Sequence, residues 1–211
     1  MLRARARFED ARVLEIGCGP GRVTAMYAHV TRMTAGLEPD AAAVAQAVHD
    51  VRGPFFVRGS GMALPFSDQA FDVAVFSLSL HHHPDPALAL DEAARVLAPT
   101  GRLLALEPVA EGEVQRLCNV FVNEDHALDA AERALDACGL RRIARDIFET
   151  RWTFDDFRDV EAYAFGHYGR PDDPTEADAR AAALRAFLGR RADGAPIHLS
   201  DTLCLTTLAV P

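Results

Sequence analysis

Hydrophobic and polar positions along the chain fall into two alternating rhythms. Residues 12–16 form a short run around Val13, Leu14 and Ile16 that ends on Gly17, the pattern of a buried strand entering a glycine loop. Residues 22–30 then read as a helix and 33–37 as a second strand. A second helix is expected over 40–51, Ala-rich with Asp40 as N-cap, and a short third strand over 55–57. Residues 60–70 hold Gly61, Pro65 and Ser67 and read mostly as loop, before a buried strand over 71–78. Asp85-Pro86 opens a helix to Leu97, with proline in the first turn, where its missing N–H costs nothing. Pro99-Thr100-Gly101 reads as a turn and 102–106 as a fifth strand.

Strands that alternate with helices in this way build a doubly wound parallel sheet. The rhythm changes after residue 120. A helix is expected over 124–138, closed by Gly139, followed by a strand over 140–148. Only 198–210 reads as strand again. Between them Thr153 and Asp156 suggest a capping box for a helix to Tyr168. Beyond the acidic turn at 171–174, a helix over 176–190 carries one apolar stripe at Ala181, Leu184 and Leu188, which suits packing on the parent domain.

The loop after the first strand is Gly17-Cys18-Gly19-Pro20-Gly21-Arg22. A strand-to-helix turn of this kind lets backbone approach a ligand closely. The dinucleotide version needs a third glycine where this chain has Arg22, so pyrophosphate binding is disfavoured. Glu15 stands just ahead of the loop and suits a ligand carrying positive charge. Glu38 ends the second strand about twenty residues on, the spacing of a carboxylate that takes ribose hydroxyls. It is also placed to complement the dipole of the next helix.

Composition narrows the chemistry. All 22 basic residues are arginine, which excludes a P-loop lysine, a Schiff-base lysine and a kinase-type lysine. The formal charge of −9 argues against bulk nucleic-acid binding. No apolar run approaches a membrane span and no signal-peptide pattern is present, so a cytoplasmic location is expected. Cys18, Cys118, Cys138 and Cys204 lack metal or redox spacing and read as reduced thiols. No metal site is expected: the three consecutive histidines 81–83 are contiguous, and contiguous ligands do not wrap one ion. The Arg3, Arg5, Arg7 alternation reads as a solvated tail.

Glu15-Ile16-Gly17-Cys18-Gly19-Pro20-Gly21 resembles motif I of the class I S-adenosylmethionine-dependent methyltransferases. Gly36-Leu37-Glu38-Pro39-Asp40 resembles their ribose-binding motif. Residues 63–72, Ala-Leu-Pro-Phe-Ser-Asp-Gln-Ala-Phe-Asp, are similar to a stretch of the subgroup that contains ubiquinone/menaquinone-biosynthesis methyltransferases. Leu80-His81-His82, Arg95-Val96-Leu97 and Pro99-Thr100-Gly101-Arg102 continue the likeness. It implies a Rossmann-like, seven-stranded, mostly parallel sheet of order 3-2-1-4-5-7-6, the last strand antiparallel, with a helical insertion before it.

The resemblance also implies the cofactor S-adenosyl-L-methionine and a small-molecule acceptor methylated by in-line displacement. Gly17, Gly19 and Gly21 would approach the methionine part, and Glu15 would orient its ammonium. Glu38 and Pro39 would meet the ribose, Ser60, Gly61 and Met62 the adenine, and Ser77 the methyl end. Ser60 stands where the family usually has an aspartate. His81 and His82 are the candidate bases, with hydrogen bonding at a helix start as the alternative role. His167 is a further candidate. The chain reads as one domain over 1–211. Its aromatic-rich segment 150–198 is read either as a substrate lid or as the core of a small helical layer; a homodimer is the other way to close the site. A non-catalytic binding or scaffold protein and an NAD-dependent oxidoreductase are the rival functions.

Overall fold

The computed structural model describes residues 1–211, the side chain of His167 excepted. Seven strands form a mixed sheet of order β3-β2-β1-β4-β5-β7-β6, as the resemblance implied. They are β1 (Arg12–Ile16), β2 (Met33–Glu38), β3 (Phe55–Arg58), β4 (Phe71–Ser77), β5 (Leu97–Pro108), β6 (Arg141–Phe154) and β7 (Ile197–Ala209). The helices are α1 (Leu2–Arg5), α2 (Arg22–Tyr27), α3 (Ala41–Asp50), α4 (Pro86–Val96), α5 (Glu113–Cys118), α6 (Asp125–Ala137), α7 (Phe157–Tyr168) and α8 (Pro174–Leu188). Among the described residues no helix is long and apolar enough to cross a membrane.

The chain divides into two compact units. The first comprises residues 1–107, 127–147 and 204–211. Here β1 pairs in parallel with β2 and β4, β2 with β3, and β4 with β5. Strands buried on both faces carry continuous apolar runs, which is why Val13, Leu14, Ile16 and Val73 to Phe76 are almost fully buried. Leu14, Ile16, Ala74 and Phe76 share one core with Ala89, Leu90, Ala93 and Val96 of α4 and Ala131 and Leu135 of α6, which lie on one face of each helix. Asp40 and Asp85 cap α3 and α4 by accepting from the N–H groups of Ala42 and Leu88. Arg12 donates from its backbone and guanidinium to Asp72, locking the starts of β1 and β4 together.

Two local expectations change. Residues 99–101 are not a turn between helix and strand: β5 already begins at Leu97. Phe71 faces Leu97 while Val73 faces Arg102, so the segment is an irregularity within the strand. The capping box at Thr153 is absent as well. Thr153 lies in β6, and Asp156 alone caps α7, accepting from the N–H groups of Arg158 and Asp159.

The second unit comprises residues 108–126 and 148–203. Its core joins Val114, Leu117 and Cys118 of α5, a helix the sequence pattern did not announce, to Phe157, Val160 and Ala164 of α7 and Leu184 and Leu188 of α8. Several aromatic residues of 150–198 pack in or on this core. Phe154, Phe157 and Phe165 are buried, and Trp152, Tyr163 and Tyr168 pack against the cluster. Phe121 stacks on Tyr168 with centroids 5.2 Å apart.

Candidate active site

The carboxyl ends of β1, β2 and β4 in the first unit converge on the glycine loop. Gly17 turns the chain at φ +73°, and its N–H and that of Cys18 donate to the Leu37 carbonyl at 2.8 and 3.1 Å. A side chain at Gly17 would collide with Ser79, whose Cβ lies 2.6 Å from the position a Cβ would take. Ser79 donates its hydroxyl to the Ile16 carbonyl at 2.7 Å, so the segment after β4 is buttoned onto the end of β1. Gly19 differs in kind. It also has positive φ, +51°, yet no atom lies within 4 Å of its would-be Cβ. Here the loop leaves open space for a ligand to approach backbone.

Glu38 controls the loop from the end of β2. Its Oε2 accepts the Gly19 N–H at 2.9 Å and its Oε1 accepts the Asp40 N–H at 3.0 Å. The ribose expectation and the helix-start expectation thus fall on one half-buried carboxylate. The neighbouring Pro39 carbonyl accepts from Arg58 Nε at 3.1 Å.

Glu15 is placed differently from the expected contact with a cationic ligand. It is 1 % exposed, and its Oε2 accepts the hydroxyls of Thr24 and Tyr27 on α2 at 2.5 and 2.7 Å. Burial pushes its carboxyl up to about 7, with the two hydroxyls pulling the other way. Cys18 is likewise desolvated and flanked by Glu15 and Glu38, and its thiol is pushed up to about 12.

The loop over 60–62 reaches the same edge. Ser60 Oγ accepts the Met62 N–H at 3.2 Å, Met62 packs against the main core, and Gly61 is buried. A Cβ on Gly61 would sit 2.2 Å from His83 Nε2 and 2.8 Å from Ile16 Cγ2. Arg95 of α4 holds the following stretch. It pairs bidentately with Glu92, binds Asp68, and donates to the carbonyls of Leu64 and Phe66 at 3.0 and 2.8 Å.

After β4 come Ser77 and the histidines. Ser77 Oγ is buried with no hydrogen-bond partner among the described residues. His83 Nδ1 donates to the Ser79 carbonyl at 2.9 Å, which in a neutral ring leaves Nε2 as an acceptor. His81 is buried and its Nδ1 bonds Glu107; His82 is exposed and its ring lies 3.9 Å from that of His81. The side chain of His167 lies outside the described residues.

Sequence reasoning missed Glu107, Ser79, Thr24 and Tyr27. Glu107 had a signal: a lone acid closing the apolar strand of 102–106, directly before Pro108. Ser79 had none, because its partner Ile16 lies 63 residues away, and Thr24 and Tyr27 had none, because nothing in a helix sequence shows which side chains turn onto the preceding strand.

The residues present fit S-adenosylmethionine. A loop with an open backbone face, a carboxylate at the end of β2 and an unsatisfied buried hydroxyl at the end of β4 supply what its methionine, ribose and methyl-donor ends require. Residues 14–105 match the family described as "Methyltransferase domain". A fatty-acid O-methyltransferase of Mycolicibacterium smegmatis is 36% identical over 105 residues, 48% of this chain and 38% of that protein. The ubiquinone/menaquinone biosynthesis C-methyltransferase of Roseobacter denitrificans is 50% identical over 52 residues, 25% of this chain and 21% of that protein. The chain thus spans well under half the length of these curated relatives. A crystal structure of a Bacillus halodurans protein described as a methyltransferase superposes with a TM-score of 0.71 at 18% identity, covering 100% of this chain and 96% of that one, which shows the fold. The match to the methyltransferase domain family thus falls on residues 14–105, which carry the glycine loop, the Glu38 carboxylate and the segment after β4.

Proposed function

We propose that the protein transfers a methyl group from S-adenosylmethionine to a small-molecule acceptor. The observation that carries this is the glycine loop itself: Gly19 presents an open backbone face while Glu38 fixes its N–H from the end of β2. When bound, the cofactor supplies an electrophilic methyl group on a sulfonium. The chain's own work is to bind, orient and exclude water. Glu38 accepts the ribose hydroxyls, releasing part of its hold on the loop. Gly17 and Gly21 shape the turn, and Gly19 lies against the methionine part. Ser60, Gly61 and Met62 face adenine, and the Ser77 hydroxyl gains its missing partner at the methyl end. Glu15 holds α2 through Thr24 and Tyr27 behind the loop. His81 and His82, on the segment after β4, are the groups placed to accept a proton from the acceptor.

Calorimetry with S-adenosylhomocysteine tests this. Micromolar binding by the wild type is expected. Glu38→Gln should weaken it about 10- to 100-fold, the effect of losing a charged acceptor to a paired hydroxyl. Absence of binding at millimolar ligand, or a thermal shift with NAD(H) in its place, would overturn the proposal.

A further inference from the structure

β6 is the last strand in the sheet order, so one of its edges has no strand beside it. It runs for 14 residues, and its burial alternates along that length. Ile143, Arg145, Ile147, Glu149 and Arg151 are exposed on one face, while the residues between them are half-buried. An open edge presents a row of backbone N–H and C=O groups to any chain that can align with it, and proteins commonly blunt it with proline or by keeping the strand very short. β6 contains no proline and is not short. It also exposes two large apolar side chains, Ile143 at 43 % and Ile147 at 58 %. Arg145 pairs with Glu132, yet its side chain is still 39 % exposed, and a guanidinium carries five N–H donors.

We propose that β6 pairs antiparallel with β6 of a second copy of the chain, about a twofold axis through Ile147, so that two sheets become one. Such an axis stands normal to the sheet. Each residue then faces one on the same side of the sheet, and the axis must pass through a residue. With the axis on Ile147, that side chain meets its own copy. Arg145 meets Glu149 of the second copy and Glu149 meets its Arg145, while Ile143 lies beside the aliphatic stem of its Arg151. No like charges face each other. Moving the axis to Phe148 sets Arg145 against Arg151 twice. Moving it to Asp146 sets that carboxylate against itself and Arg141 against Arg151. An axis on Arg145 or Glu149 brings like charges together at its centre, and axes further out leave more of the strand unpaired. Charge therefore selects one register among those that pair most of β6. β4, β5 and β7 stand between β1 and β6 in the strand order, so this pairing does not rest on the methyltransferase reading.

Sedimentation equilibrium of the full chain from about 1 to 200 µM tests it. The wild type should dimerise with a Kd in the micromolar range. Ile147→Lys sets two ammonium groups face to face and should raise Kd at least about tenfold. Arg145→Glu and Glu149→Arg should each do the same, because two opposite-charge pairs become two like-charge pairs. The double variant Arg145→Glu/Glu149→Arg restores both pairs and should return Kd to within about threefold of the wild type. Oxidative cross-linking reads the register independently. Facing residues of antiparallel strands stand about 4.5–5.5 Å apart at Cα, within disulfide reach, so Ile147→Cys should cross-link to its own copy. Ile143→Cys faces Arg151 and should not. A wild type that is monomeric at about 200 µM, a dimer indifferent to Ile147→Lys, or a double variant no tighter than its single variants overturns the proposal. Should a charge variant fail to fold, the Ile147→Cys cross-link decides, and its absence overturns the proposal. S-adenosylhomocysteine affinity should be the same in monomeric and dimeric variants; absence of that binding with the dimer intact overturns the methyltransferase reading and leaves the pairing standing.

Discussion

Gly17 and Gly19 sit two residues apart in one loop, both at positive φ, and should fail in opposite ways when replaced by alanine. Either substitution places a Cβ in the left-handed region, at about 1 kcal/mol. At Gly17 the new methyl also meets Ser79 Cβ at 2.6 Å and Oγ at 3.0 Å, so the Ser79 backbone must shift and its bond to the Ile16 carbonyl is strained or lost. Overpacking of this kind adds roughly 1–3 kcal/mol, for a total of about 2–4. In a domain of this size each kcal/mol moves Tm by about 2–4 °C, so Gly17→Ala should melt roughly 4–16 °C lower. At Gly19 nothing lies within 4 Å, and the loss should stop at about 2–4 °C. Binding reverses the order of interest. The Gly19 methyl occupies the space proposed for the ligand and should weaken S-adenosylhomocysteine at least about tenfold, or about 1.4 kcal/mol. Calorimetry and thermal melts on the two variants side by side give both readings. Equal melting losses, or wild-type affinity in Gly19→Ala, would refute the assignment of packing to one glycine and access to the other.

Other outcomes follow from the same structure. Glu15 is held protonated more readily in the fold than in the unfolded chain, so its contribution is fully present below the usual carboxylate range and lost as pH rises through about 7. The stability difference between wild type and Glu15→Gln should therefore move toward the variant by about 3 kcal/mol from pH 4 to pH 8 in denaturant titrations; a flat difference contradicts the burial argument. Arg95→Lys keeps charge but not the fork that reaches Glu92 and the carbonyls of Leu64 and Phe66. Amide exchange over residues 62–70 should rise about tenfold, with little change in β1. Cys18 is buried with its thiol pushed up to about 12, Cys118 and Cys204 are buried, and Cys138 is more accessible. Iodoacetamide at pH 8 should modify Cys138 first, as peptide mapping will show; early labelling of Cys18 would mean the glycine loop opens.

Hydrophobic rhythm and cap signals located all seven strands and six of the eight described helices, though β5 begins five residues before its expected start and β6 ends six residues past its expected end, because doubly wound strands are buried on both faces and their connections are amphipathic helices. α1 and α5, of four and six residues, are too short to show a period, whereas the equally short α2 is marked by the glycine loop directly before it. The β5 irregularity escaped because Pro-Thr-Gly is equally the signature of a turn. The glycine turn after β1 and the place of Glu38 at the end of β2 were legible too, since they depend on backbone conformation and on spacing along one βαβ unit. What the tertiary structure decided is which side chains meet. Glu15 looked outward from its motif, yet the fold turns it onto Thr24 and Tyr27. His81 and His82 were the candidate bases in sequence, and the fold brings His81 Nδ1 onto Glu107, 26 residues away on another strand. Aromatics 150–198 read as lid or as core, and packing alone shows that Phe154 and Phe157 are buried in a cluster on which Trp152, Tyr163 and Tyr168 lie. Local propensity sets elements and turns, but the partner of a buried polar group is chosen by strand order and register, which no stretch of sequence contains by itself.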